Sequence, residues 1–138
     1  MQKEVMSSRE YREFIKGLSR KNAKYHSKKE ICDSITFDSK SECNRYRQLK
    51  VLERTGEIAD LKLQPSYLLQ EGFQGNNGKS YRPIYYRGDF RYLEKSTGHI
   101  VVEDVKGVET QVFRLKEKMF RKRYPDIDLR ILDSKELE

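Results

Sequence analysis

The segment Gly98-His99-Ile100-Val101-Val102-Glu103-Asp104-Val105-Lys106-Gly107 has the apolar run of a buried strand but ends on two acids and a lysine. Side chains alternate across a strand, so Asp104 and Lys106 share one face with Ile100 and Val102, while Glu103 shares the other with Val101 and Val105. Two positions along a strand span roughly 6–7 Å, close enough for Asp104 and Lys106 to address one phosphate or one metal-bound water. Upstream, Asp89 falls within the aromatic run Tyr85-Tyr86-Arg87-Gly88-Asp89-Phe90, where an unpaired carboxylate is costly to bury and calls for a cation. Asp89 and Asp104 on adjacent strands, with the backbone carbonyl of Val105, make a hard oxygen site that suits Mg²⁺, and Mn²⁺ can substitute. Lys106 then orients the attacking water and offsets phosphate charge. By itself, D-x-K reads first as an Asp–Lys salt bridge at a strand end, because the spacing is so common. Asp89 one strand earlier, the glycine after the lysine and the basic helix beyond it favour the site.

Positioning these groups requires a small set of elements. Ser7 and Glu10 have capping-box spacing, and Tyr11, Phe14, Ile15 and Leu18 follow at helical intervals, which predicts a short amphipathic helix. Residues 16–30 then hold six basic side chains and one acid without apolar periodicity. This arm reads as a solvated segment or as a phosphate contact, with Lys24, Lys28 and Lys29 as its candidates. A helix is expected over 39–55, closed by Gly56, and an extended stretch interrupted at Pro65 follows. Gly75-Asn76-Asn77-Gly78-Lys79 is a turn signal. Residues 80–94 and 99–106 are expected to pair as one antiparallel hairpin at the middle of the sheet. A helix from Val108 to Tyr124, marked by Val112, Leu115 and Met119 with Phe113 and Phe120 beside them, and a last strand near 127–132 complete the order.

The totals bound the reading. At 138 residues the chain suits one core, and with 36% apolar and 37% charged residues that core must be small. Twenty-nine lysines and arginines against 22 acids give +7, which suits a polyanion such as nucleic acid. Cys32 and Cys43 lack a zinc-site or scaffold spacing and are expected to be reduced packing residues. No signal-peptide core or membrane-length apolar run occurs, so a soluble, intracellular protein is expected, with no membrane partner.

With "GDF" at 88–90 and "DVKG" at 104–107, about residues 35–132 resemble the PD-(D/E)XK, restriction-endonuclease-like nuclease superfamily. The motif "FDSKSE" followed by "LQP", "GDF" and "VEDVKG" is similar to a phage-encoded family that resembles junction-resolving endonuclease I. Gly88 stands where the motif's name has proline. The resemblance implies an α/β (α+β) fold with a mixed central sheet flanked by helices in the order α-β-β-β-α-β. It also implies catalytic roles for Asp89, Asp104 and Lys106, with Glu42 as a further metal or water ligand. Glu42 has a rival role, because Ser39-Lys40-Ser41-Glu42 is a capping box. Thr110, Gln111 and Arg114, at the start of the later helix, and Lys118 beyond them are candidate phosphate contacts or simply helix start and solvated surface. Arg87 and Lys79 are further candidates, and Tyr85, Tyr86 and Tyr92 read as core or as base-stacking surfaces.

The organisation expected is an N-terminal helix and arm over 1–30 and one nuclease domain over 31–138. The leading function is a Mg²⁺-dependent DNA endonuclease acting on branched DNA, including Holliday junctions, in phage recombination or replication. A homodimer is expected, since a junction offers two strands to cut, and the setting is the cytoplasm of a bacterial host. The alternatives are a non-catalytic DNA- or protein-binding module on the same fold, or a nuclease subunit whose specificity comes from a partner.

Overall fold

A computed structural model describes residues 28–138 together with Ser8, Arg9 and Arg12. The expected N-terminal helix and most of the basic arm, including Lys24, lie outside the described residues, although Ser8, Arg9 and Arg12 are helical. Lys28 and Lys29 are exposed just before the first strand.

The chain order is β1 (Glu30–Cys32), β2 (Ile35–Phe37), α1 (Lys40–Thr55), β3 (Ile58–Leu63), β4 (Ser66–Gln70), β5 (Phe73–Gln74), β6 (Ser80–Tyr81), β7 (Ile84–Arg87), β8 (Phe90–Glu94), β9 (His99–Lys106), α2 (Gln111–Arg123) and β10 (Asp128–Asp133), with a closing 3-10 turn at Ser134–Leu137. Four strands form the main sheet in the order β10-β9-β8-β3. β8 runs antiparallel to both β3 and β9, whereas β10 runs parallel to β9. The fold is therefore mixed α+β, with a mixed sheet and two helices.

Helix α1 begins where Ser39 Oγ accepts the Glu42 N–H at 3.1 Å and ends at Gly56 in the left-handed region at φ 83°. It packs Cys43, Tyr46 and Leu49 over one face of the sheet, against Phe90, Tyr92, Val101 and Val105. The other face of the same strands, through Val102, meets Phe113 and Phe120 of α2 with Tyr86 and Leu69 from the β4–β7 pair. β9 thus lies between two cores and alternates between them, and fully burying each large apolar side chain there contributes roughly 1.5–3 kcal/mol.

Three expectations are corrected. Residues 80–94 do not form one strand: β7 leaves to pair with β4, and only β8 pairs with β9. The break falls at Gly88, where a Cβ would lie 2.7 Å from Val102 Cγ1 and 3.3 Å from the Glu103 carbonyl, and where the N–H donates to the Pro65 carbonyl at 3.0 Å. Proline could supply neither the space nor the donor. On α2, of the five apolar residues expected, Phe113, Phe120 and Met119 pack on the core while Val112 and Leu115 are more than half exposed, because the bulkier aromatic face contacts the sheet. Finally, Cys32 and Cys43 are joined as a disulfide with a Cα–Cα separation of 6.0 Å. The short β1–β2 hairpin turns the end of β1 toward the first turn of α1, a proximity that the ten intervening residues do not reveal.

Gly88→Ala is expected to destabilise the protein by about 1–3 kcal/mol through overpacking against Val102. Urea unfolding measures the loss, and adding Val102→Ala should recover part of it.

Candidate active site

The geometry of β9 decides which acid belongs with Lys106. Glu103 points to the α1 side, where its carboxylate takes a two-pronged bond from Arg45, at 2.7 Å from Nε and 2.6 Å from Nη2, and a short hydrogen bond from the Tyr92 hydroxyl. Asp104 points to the α2 side, where its Oδ2 accepts the Tyr86 hydroxyl at 2.7 Å and its Oδ1 lies 3.5 Å from Lys106 Nζ. Lys106 Nζ also sits 4.7 Å from the centre of the Phe113 ring, a cation–π contact that holds the ammonium near the strand end. Both acids are buried, but Glu103 is fully saturated by its partners whereas Lys106 remains about one-third exposed.

Asp89 lies between β7 and β8, fixed by its backbone: its N–H donates to the Glu103 carbonyl at 2.9 Å, and its carbonyl accepts from Gln64 at 2.8 Å. Its side chain reaches over the end of β9, where Oδ2 accepts the Val105 N–H at 2.7 Å. That bond puts Asp89 on the strand edge that also carries the Val105 carbonyl. The Asp89 and Asp104 carboxyls are close enough that Asp104 disfavours ionisation of Asp89.

Glu42 approaches from the first turn of α1. The Ser39 half of the capping box forms, but the Glu42 carboxylate leans on the backbone of Asp38 and feels the charges of Asp104 and Lys106. Arg45 is one turn farther along the same helix, so its clamp on Glu103 also fixes where Glu42 stands. Glu42 and Asp89 line a cleft of about 270 Å³ with Thr36 and Gln64, walled by Ile35, Phe37, Leu63 and Phe90.

This crowding shows in the acidities. Burial, then the charges of Glu42 and Asp104, push the Asp89 carboxyl up to about 8, although the Val105 N–H pulls the other way. Burial, then Asp38 and Asp104, push Glu42 up to about 7 against the opposing pull of Lys106. The Tyr86 phenol is also held well above its ordinary range, by burial and by Asp104. Two carboxyls, each held above its ordinary range by burial and by nearby acids, mark a place that favours a proton or a cation. Among the described residues, no three acids, histidines or cysteines stand together as a ready-made metal cage. Mg²⁺ does not require one, because it keeps several waters and takes one or two carboxylates with substrate phosphates. Asp89, Asp104 and the Val105 carbonyl fit that donor set.

A family model described as "Protein of unknown function (DUF1064)" matches residues 22–137. The chain belongs to the DUF1064 family. No curated protein and no solved structure matches it. The match spans all the groups just described, so Glu42, Asp89, Asp104 and Lys106 lie within the family's own domain.

The remaining candidates lie apart from this cluster. Thr110 is the N-cap of α2, its hydroxyl accepting the Phe113 N–H at 3.1 Å, and Gln111 is exposed beside it. Arg114 is exposed and pairs with Glu109 at 3.7 Å, while Lys118 is exposed on the outer face. Tyr86 and Tyr92 are buried and each is bonded to an acid, so neither offers a stacking surface; Tyr85 is about half exposed. Sequence reading missed Tyr86 as a partner of Asp104 and Arg45 as a partner of Glu103. The second had a signal, since Arg45 follows Glu42 at the i,i+3 spacing of one helix face. The first had none, because the β4–β7 detour brings Tyr86 beside β9.

Acids with raised pKa values hold protons in the folded chain that the unfolded chain has already released, so their contribution to stability is full at low pH and lost as pH rises through the folded values. The metal-free protein should therefore lose thermal stability between about pH 5 and pH 8, and Asp89→Asn should flatten that dependence. Melting temperatures across this range, in chelator, test both.

Proposed function

We propose that this protein is a divalent-metal-dependent nuclease that hydrolyses phosphodiester bonds in DNA, with Mg²⁺ as its cofactor. The observation that carries the reading is the convergence of Glu42, Asp89 and Asp104 beside Lys106 at one strand end, with Asp89 and Glu42 raised to about 8 and 7. A cation bound there would polarise the scissile phosphate and make a bound water more acidic. Asp89 and Asp104 supply its carboxylate oxygens, and the Val105 carbonyl lies on the same strand edge. Tyr86 occupies one oxygen of Asp104, which fixes the carboxylate and leaves Oδ1 turned to Lys106. Lys106 orients the attacking water and offsets charge on the phosphate. Glu42 faces the cleft as a further ligand for metal or water.

The order α1, β3, β8, β9, α2, β10 around the main sheet supports a restriction-endonuclease-like core. Charge supports a nucleic-acid substrate: beyond the net +7, α2 exposes Arg114, Lys118, Arg121, Lys122 and Arg123. Resemblance to junction-resolving nucleases favours branched DNA as substrate and a homodimer as the working unit, in phage recombination or replication within a bacterial cytoplasm. Among the described residues no helix is long and apolar enough to cross a membrane.

A second reading, a non-catalytic DNA-binding module, draws on the partners already satisfying the acids: Val105 on Asp89, and Tyr86 with Lys106 on Asp104. The two separate on labelled four-way, flapped, single-stranded and linear DNAs incubated with Mg²⁺, Mn²⁺ or chelator. The nuclease should cut in metal and not in chelator, and Asp89→Ala or Lys106→Ala should lower cleavage by at least about 100-fold while DNA binding persists. Binding without cleavage of any substrate by the wild-type protein would favour the module.

A further inference from the structure

Between the two halves of the site's scaffold the chain makes an excursion of which the chemistry uses only Tyr86, at its base. From the base bonds Gln64 to Asp89 and Gly88 to Pro65, the paired strands β4 and β7 run across α2, and the chain then continues outward as β5 and β6. Residues 70–83 are exposed at every position except Gly75, which is partly covered. This tip nevertheless carries two large aromatic residues. Phe73 and Tyr81 are cross-strand partners, stacked with ring centres 4.9 Å apart and planes 16° from parallel, and remain 49% and 43% exposed.

The pair is held in place. Asn77 Nδ2 donates to the Tyr81 hydroxyl at 2.8 Å, the Lys79 N–H donates to Asn77 Oδ1 at 3.0 Å, and the Gly75 N–H donates to the Lys79 carbonyl at 2.8 Å. Gly75 is needed for this, because a Cβ there would meet Tyr81 Cε2 at 2.9 Å and Asn77 Oδ1 at 2.7 Å. An ordered aromatic platform kept half in water suits a flat apolar partner. The charges around it indicate which kind: over residues 66–87 the arm carries Lys79, Arg82 and Arg87 against one acid, Glu71.

We infer that the arm tip is a stacking platform for unpaired nucleotides, with Phe73 and Tyr81 taking base faces and Lys79, Arg82 and Arg87 following the phosphates. Base–aromatic stacking needs no sequence, whereas paired bases keep their faces hidden, so the arm selects DNA with unpaired bases. Seven residues lie between Tyr81 and Asp89, so eight extended steps limit their Cα separation to about 26–29 Å, or roughly eight base steps. The platform rests on the nuclease reading for its purpose and deepens it, by assigning the substrate's single-stranded feature to a defined place.

The test uses the whole protein, in chelator so that no cutting occurs. A fluorescent 2-aminopurine is walked along a gapped or flapped DNA, and affinities for single-stranded, gapped and fully paired DNA are measured for wild type and for Phe73→Val/Tyr81→Thr. The β-branched replacements preserve the hairpin but offer no ring; circular dichroism and melting confirm its fold. Wild type should quench the probe at an unpaired position, the variant should not, and affinity for single-stranded or gapped DNA should fall about tenfold or more while that for duplex is unchanged. Phe73→Trp should retain quenching. Equal quenching and affinity in wild type and variant overturn the inference, as does a variant that instead loses self-association, which would make the pair a protein interface. Cleavage in Mg²⁺ is scored separately. A protein that quenches but never cuts leaves the platform standing and defeats the nuclease reading, and one that cuts equally with and without the rings, with no quenching, does the reverse.

Discussion

The Asp89 and Asp104 carboxyls lie at the end of β9 within electrostatic reach of Glu42, and the arrangement of the rest of the protein is what keeps them there. Asp104, Asp89 and Glu42 come from a strand, a loop and a helix. Left free, they would separate into water, since burial and the neighbouring acids disfavour the ionised forms of Glu42 and Asp89. Each is therefore held by something that does not depend on its charge. Asp104 is set by the pleat of a strand packed on both faces, Asp89 by backbone bonds to Glu103 and Gln64, and Glu42 by a helix whose next turn is clamped to Glu103 through Arg45. The Arg45–Glu103 pair lies on the face opposite Asp104, so the same strand bears a structural ion pair on one side and the candidate chemistry on the other. Removing one partner of such a buried pair typically costs about 3–5 kcal/mol, which makes it a strut more than a net source of stability.

Much of this was legible in the sequence, for definite reasons. Alternation along residues 99–106 assigned Asp104 to Lys106 and Glu103 to the other face, because a strand with two buried sides leaves no freedom of register. The cap at Ser39 and the glycine at 56 bounded α1 closely. What stayed hidden depended on long-range packing. The run from Ser80 to Glu94 has the composition of one strand, and only the closeness of Val102 to Gly88 shows that it must break into two. On α2, both Val112-Leu115 and Phe113-Phe120 have helical spacing, so periodicity alone could not choose the buried face. Tyr86 and the Cys32–Cys43 bridge depend on which elements fold back on which, and neither leaves a local trace.

The break at Gly88 also links the site to the arm. Had residues 80–94 run straight, β7 would extend the main sheet and could not pair with β4 across α2. Instead β7 turns away, Asp89 sits at the corner where its side chain reaches Val105, and the chain between Pro65 and Gly88 crosses α2, burying Leu69 and Tyr86 there, before its exposed tip at 70–83. One glycine therefore serves both the placement of an acid and the departure of the strand pair that carries that tip. Tyr86 reinforces the link, because it belongs to the arm's base yet its hydroxyl bonds Asp104.

The shared-cation site is tested most directly by titrating Mn²⁺ into the protein without DNA, by calorimetry or electron paramagnetic resonance, at pH 6 and pH 8. If Asp89 and Asp104 hold a cation in place of the proton that burial imposes, binding should be saturable, tighter at pH 8 than at pH 6, and lost in both Asp89→Asn and Asp104→Asn. No saturable binding, or binding of equal strength in wild type and both variants, would contradict it.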